Sequence, residues 1–133
     1  MSFSQDIRQT IRERAKNRCE YCQMPDEVSM HGFQIDHVLP KKHDGDDSLD
    51  NLAWSCAPCN RHKGAQIAGY DPETGHLTEL FNPRSQAWNE QFQIEEARII
   101  GLTAVGRVTA KILEMNQPNM IASRRILIEF DLF

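Results

Sequence analysis

Four cysteines stand as two Cys-x-x-Cys pairs, Cys19-Glu20-Tyr21-Cys22 and Cys56-Ala57-Pro58-Cys59, with 33 residues between the pairs. Paired knuckles of this kind suit tetrahedral Zn²⁺, a redox-inert cation that favours thiolate ligands. Disulfides are the weaker reading, because Met1 to Arg18 is polar and charged and holds no apolar secretory leader, and cytosolic thiols stay reduced. Duplication of the knuckle also argues against a single redox pair. A different chemistry lies between the knuckles, at Asp36-His37. Imidazole is the one side chain that titrates near neutrality without special tuning, so His37 is the natural general base. Asp36 offers the hard oxygen that Mg²⁺ or Mn²⁺ requires. Together these groups suit hydrolysis of a phosphodiester by an activated water.

The elements that must hold these residues can be read from local pattern. Ser4 is placed to cap a helix with an apolar stripe at Ile7, Ile11 and Ala15, ending near Asn17 and delivering the first knuckle. Met24 to Gly32 reads as loop. Phe33, Ile35 and the residues to His37 alternate as a short strand. Pro40 to Asp50, with Asp44-Gly45-Asp46-Asp47, is a polar loop too acidic for burial. Leu52-Ala53-Trp54-Ser55 is a second short strand, with Trp54 in the core. Pro58 fits the first turn of a helix that continues past Lys63. Adjacent strand residues face opposite ways, so Asp36 and His37 can share one site only if the strand ends or bulges there. Further on, Asp71-Pro72-Glu73-Thr74-Gly75 is a turn and Leu77 to Phe81 a strand. Trp88 to Ile100 fits helix and strand alike, with Trp88 packing the carboxyl-terminal part. Thr103 caps a helix through Val105, Val108, Ile112 and Leu113 that ends near Asn116. Asn119 opens a last helix bearing Arg124 and Arg125.

The series Cys19-x-x-Cys22, Asp36-His37-Val38-Leu39-Pro40, Asn51-Leu52 and Cys56-x-x-Cys59-Asn60-x-x-Lys63-Gly64 resembles the HNH endonuclease family in order and spacing. The resemblance covers about residues 17–66. Asp71 to Trp88, with Phe81-Asn82-Pro83-Arg84, also looks like a subgroup of small bacterial HNH proteins. What the resemblance implies is an α+β fold: a ββα-metal unit in a four-cysteine zinc cradle, flanked by amino- and carboxyl-terminal helices. The whole chain, residues 1–133, is then one nuclease domain, with a carboxyl-terminal extension from about residue 71. It further implies that Asn60 is the second protein ligand of the catalytic cation, with water and phosphate oxygens completing the shell. Asn51 takes the middle position, where its amide pins the loop or holds His37 in the right tautomer. Lys63 and Arg61 become candidate phosphate contacts. His62 and His43 are not fixed by the pattern and read as surface histidines, and His31 and His76 carry no motif. The frequent Gly-Gly of the loop is replaced here by Asp44-Gly45-Asp46-Asp47.

Formal net charge is −4, and a zinc tetrathiolate makes it two units more negative. That is unhelpful for non-specific binding to phosphates, which rests on Lys and Arg. Charge is uneven, however: Arg8, Arg12, Arg14, Lys16 and Arg18 face Glu13 alone, so a local basic face is one reading and a solvated helix flank the other. No apolar run is long enough for a membrane span. The expectation is therefore a cytoplasmic, DNA-binding hydrolase acting on nucleic acid, duplex DNA first, with structural Zn²⁺ and catalytic Mg²⁺ or Mn²⁺. Cutting both strands together would require a dimer, and no heptad seam announces one. The competing readings are a catalytically silent zinc module that binds nucleic acid or a protein partner, and a nuclease directed at RNA. Clustered aromatics, which single-strand binders use as stacking platforms, are absent from the sequence. Base reading would fall to the Arg8–Arg18 helix or the Arg124-Arg125 stretch, so little sequence preference is expected.

Overall fold

The computed structural model describes residues 3–133. Helix α1, Gln5–Arg14, begins where Ser4 accepts a hydrogen bond from the Ile7 amide at 3.2 Å. Ile11 is buried and Ile7 remains exposed, so the apolar stripe is narrow. The helix stops three residues short of Asn17 because Lys16 and Asn17 take positive φ, 57° and 60°. Strands β1, Gln34–His37, and β2, Leu52–Ser55, pair antiparallel with Ile35 opposite Trp54 and His37 opposite Leu52. Helix α2, Ala57–Lys63, follows with Cys56 as its cap and Pro58 in its first turn. It ends at Lys63 rather than beyond it, because Gly64 turns the chain at φ 51°. These elements are the expected ββα unit.

The rest is also mixed α and β. Strands β3, Ala68–Tyr70, and β4, Leu77–Glu79, make a hairpin, of which the sequence pattern marks only the second strand. The ambiguous stretch resolves into both alternatives: a single turn α3, Trp88–Gln91, then strands β5, Phe92–Glu95, and β6, Arg98–Gly101. Their connection puts Glu96 and Ala97 at φ 50° and 69°, a two-residue hairpin turn that normally signals itself with Asn-Gly. Helix α4, Ala104–Ile112, is capped by Thr103, and α5, Pro118–Glu129, closes the chain. Gly106 permits α4 to approach the preceding turn, since a Cβ there would lie 2.0 Å from the Gln91 carbonyl oxygen. Among the described residues no helix is long and apolar enough to cross a membrane.

One apolar cluster runs through both halves. Ile11, Tyr21, Leu52 and Trp54 belong to it, and so do Phe81, Phe92, Ile99, Val108 and Leu113. Aromatic edges carry it across: Tyr21 meets Phe81 at 6.4 Å between centroids, and Phe81 meets Phe92 at 5.3 Å. Trp88 stacks on Phe92 and donates its indole N–H to the Tyr21 carbonyl at 2.7 Å. Arg84, within the Phe81-Asn82-Pro83-Arg84 stretch, pairs with Glu20 between the first two cysteines, and Glu20 accepts from the Trp54 amide at 2.7 Å.

The arginines of this stretch, read from the sequence as either a basic face or a solvated flank, are bonded within the protein itself. Arg8 donates to the Phe33 carbonyl and lies over the Trp54 ring; Arg12 makes a two-pronged pair with Asp26. Arg14 donates to the carbonyls of Leu49 and Leu52, and Arg18 to that of Gln23. Arg124 is fully buried. These arginines fasten the amino- and carboxyl-terminal helices down, and base reading by Arg124 is ruled out by its burial.

Asp71 anchors the carboxyl-terminal half. Arg107 grips its carboxylate with two hydrogen bonds of 2.9 Å, and Thr74 adds a third at 2.8 Å. The Arg107 guanidinium holds the Asp71 carboxyl well below the ordinary carboxylate range. A carboxyl depressed in the folded state contributes stability that is present above its unfolded value, about 3.9, and lost as pH falls through the folded one. The urea midpoint should therefore drop from about pH 5 downward. Asp71→Asn should be less stable at neutral pH and should flatten part of that acid limb. Parallel pH curves for the two proteins would contradict this assignment.

Candidate functional site

The two knuckles converge. Cys19, Cys22, Cys56 and Cys59 are all buried, and their sulfurs lie within 4.8 Å of one another. The Cys22 and Cys56 sulfurs are 3.6 Å apart. Four sulfurs at the zinc–thiolate bond length stand about 3.8 Å from each other on a tetrahedron, so the cluster fits Zn²⁺. Backbone N–H groups already point at the sulfurs, Cys22 to Cys19 at 3.4 Å and Cys59 to Cys56 at 3.5 Å.

His37 closes β1 with 21% of its side chain exposed. Its Nε2 bonds Asp47 Oδ1 at 2.7 Å, and Lys41 pairs with the same carboxylate at 3.2 Å. The bond from His37 holds Asp47 below the ordinary carboxylate range. With a carboxylate on Nε2, that nitrogen carries the proton and Nδ1 is left with a lone pair. The acidic loop is thus more than solvated surface. Asp47 orients the imidazole, while Asp46 turns the chain by accepting from Ser48. No residue-level signal in the sequence singles out Asp47, because its neighbours Asp44 and Asp46 look the same.

Asn51 pins this loop. Its side-chain oxygen accepts from the Leu39 amide at 2.8 Å, and its NH₂ donates to the carbonyls of Leu39 and Asp46 at 3.0 and 2.8 Å. Of the two roles expected for Asn51, the structure places it in the first. Gly45 lies so close under Leu39 that a Cβ would stand 1.6 Å from the Leu39 carbonyl oxygen.

β1 runs regularly to its end, without a bulge, so Asp36 and His37 face opposite ways. Asp36 is 5% exposed and points inward, against α2. Its Oδ2 accepts from the Tyr21 hydroxyl at 2.6 Å and pairs with Lys63 Nζ at 3.1 Å; its Oδ1 lies 3.3 Å from the same ammonium. Burial pushes the Asp36 carboxyl up from its ordinary value, and Lys63 and Tyr21 oppose that. Lys63 is itself 1% exposed, and it also donates to the carbonyls of His37 at 2.9 Å and Val38 at 3.2 Å. Its ammonium is fully occupied inside the protein and does not reach a phosphate. As arranged, Asp36 is buried and paired with Lys63 rather than open to a cation arriving from solvent. Tyr21, unmarked in the sequence except by lying between two cysteines, completes this buried set.

Asn60, in the middle of α2, donates to the Gln34 side-chain oxygen. Its own carbonyl oxygen has no protein partner among the described residues, and is the hard donor left for a cation. Arg61 is exposed at the next position. His62 pairs with Glu114 at 2.6 Å and His43 bonds the Ala65 carbonyl, so both tie surface elements together.

Residues 19–66 match the family model described as HNH endonuclease. No curated protein matches the chain. The matched segment begins at Cys19, ends just past Lys63, and contains the four-cysteine cluster, His37, Asn51 and Asn60.

Two measurements check this geometry. Elemental analysis of protein purified without added metal should find one zinc per chain, and stripping it should unfold the ββα unit; metal-free protein with intact disulfides would contradict the site. Asp36→Asn leaves the Lys63 ammonium buried and unpaired, which typically costs about 3–5 kcal/mol. Urea unfolding should show that loss, and Asp36→Asn with Lys63→Met should recover part of it. Wild-type stability in Asp36→Asn would contradict the buried Asp36–Lys63 pair.

Proposed function

We propose that this chain, with its HNH endonuclease domain at residues 19–66, is a nuclease that hydrolyses phosphodiester bonds in DNA using His37 as general base. The observation that carries the proposal is the His37–Asp47 hydrogen bond of 2.7 Å at the partly exposed end of β1. Asp47 accepts the Nε2 proton, so Nδ1 is poised to take a proton from water as it attacks phosphorus. The carboxylate then stabilises the imidazolium that forms, which is the work of the third group in any base–orienter pair. Asn51 holds the loop that carries Asp47. The ammonium of Lys63 fixes the carbonyls of His37 and Val38, and with them the end of the strand.

Dependence on Mg²⁺ or Mn²⁺ is part of the proposal, because HNH nucleases use a divalent cation, which supplies positive charge to the phosphate. Asn60 is the residue with a donor to give it; water and phosphate oxygens make up the remainder of the shell. Arg61, exposed beside Asn60, is the proposed phosphate contact. Duplex DNA is the proposed substrate, with little sequence preference, since the arginines of α1 and Arg124 are engaged inside the protein.

One observation favours a second reading. With those arginines engaged and an acidic loop beside His37, the surface left for phosphates is thin, as in a silent zinc module. Supercoiled plasmid in Mg²⁺ or Mn²⁺ decides between them. The wild type should nick it, and His37→Ala should lower the rate by about 10²–10⁴-fold while keeping its zinc and its circular dichroism. Asn60→Ala should bind Mn²⁺ more weakly. Equal trace activity in wild type and His37→Ala would assign the cutting to a contaminant and leave the silent module standing.

A further inference from the structure

His37 shares Asp47 with a second cation. Lys41 lies on the short 3₁₀ turn Lys41–His43 that follows β1. Its Nζ stands 3.2 Å from Asp47 Oδ1, the same oxygen that His37 Nε2 bonds at 2.7 Å, and 3.3 Å from Oδ2. Ammonium and imidazole therefore sit side by side on one carboxylate. The turn that carries Lys41 is fastened: the Asp44 and Gly45 amides return to the Lys41 and Pro40 carbonyls at 3.0 Å each. His43 bonds the Ala65 carbonyl, just past α2, at 3.2 Å.

The two lysines near His37 differ in what they have left to give. Lys63 is 1% exposed and spends its ammonium on Asp36 and on the carbonyls of His37 and Val38. The Lys41 side chain is 52% exposed, and Asp47 is its only acceptor among the described residues. An ammonium has three N–H donors, so two contacts to one carboxylate leave at least one of them to solvent.

We propose that Lys41 is a catalytic residue whose ammonium binds a non-bridging oxygen of the phosphate being cut. The inference rests on the nuclease reading of the His37 site. Before reaction, the single charge of Asp47 serves both a neutral His37 and Lys41. As water attacks, an O–P bond forms, the bond from phosphorus to the leaving oxygen breaks, and the proton of the water passes to His37 Nδ1. The leaving oxygen takes its proton from solvent. The new imidazolium claims Asp47 as its counter-ion, which frees Lys41 while negative charge grows on the phosphate. The flexible four-carbon stem lets the ammonium follow that charge. An interaction that strengthens toward the transition state raises kcat.

Two measurements on Lys41→Met and Lys41→Arg test this. In plasmid nicking, Lys41→Met should lower kcat by about 10²-fold with a smaller change in KM, and Lys41→Arg should keep most of the rate. In binding of a labelled DNA duplex across a salt range, on the non-cutting His37→Ala background, Lys41→Met should reduce the slope of log K against log salt by about 0.9, one phosphate contact. A lysine that only braced Asp47 would be silent once Asp47 is neutralised, so the same pair is measured with Asp47→Asn. There the freed ammonium should bind duplex more tightly, and Lys41→Met should remove that gain. Wild-type kcat or an unchanged salt slope in Lys41→Met overturns the proposal, as does a silent Lys41→Met beside Asp47→Asn. A wild type that fails to nick defeats the nuclease reading instead, and the catalytic role of Lys41 falls with it.

Discussion

Four cysteine sulfurs held within 4.8 Å of one another in a dry interior are the constraint on which the rest of the molecule depends, and their number and spacing suit one Zn²⁺. Cys19 and Cys22 follow α1, while Cys56 and Cys59 open α2, so the cluster joins elements with 33 residues between their knuckles. What lies between is a two-stranded sheet of four residues per strand, far too small to be stable alone. Its position is fixed at one end by the cysteines and at the other by Lys63, whose ammonium gathers Asp36 and the carbonyls of His37 and Val38.

This buried ammonium changes how the site is read. A lysine three residues after Asn60 looks like a phosphate ligand on an active-site helix, and an aspartate before the histidine looks like a metal ligand. In the fold the two satisfy each other, with Tyr21 as third member. What remains toward solvent is smaller: His37 with Asp47 behind it, the Asn60 carbonyl, and Arg61. The strand end that carries His37 is held by the Asp36–Lys63 pair and by Asn51, which is the rigidity that the proposed base requires.

Much of this is legible in the sequence because it is local. Ser4 and Thr103 cap helices by side-chain chemistry, Leu52–Ser55 is a continuous apolar run, and the cysteine spacing announces a tetrahedral centre. What the sequence hides has physical causes as well. The β5–β6 hairpin gives no signal because Glu96-Ala97 lacks the usual turn residues and tertiary packing holds the positive φ values. The arginines of α1 look like a solvent face, yet each reaches a carbonyl or carboxylate distant in sequence. Asp36 and Lys63 announce what their groups can bind, whereas burial, which decides what they do bind, is a property of the whole fold. Asp47 is hidden among equivalent acidic neighbours, and only the loop pinned by Asn51 selects it.

The central claim is that a metal centre at the four cysteines holds together the ββα unit, whose knuckles lie 33 residues apart. Hydrogen exchange followed by mass spectrometry, during stepwise removal of zinc by a chelator, tests it most directly. The account predicts that β1, β2 and α2 lose protection together, in proportion to the zinc removed. Retention of full protection in β1, β2 and α2 after the zinc has been removed would contradict it.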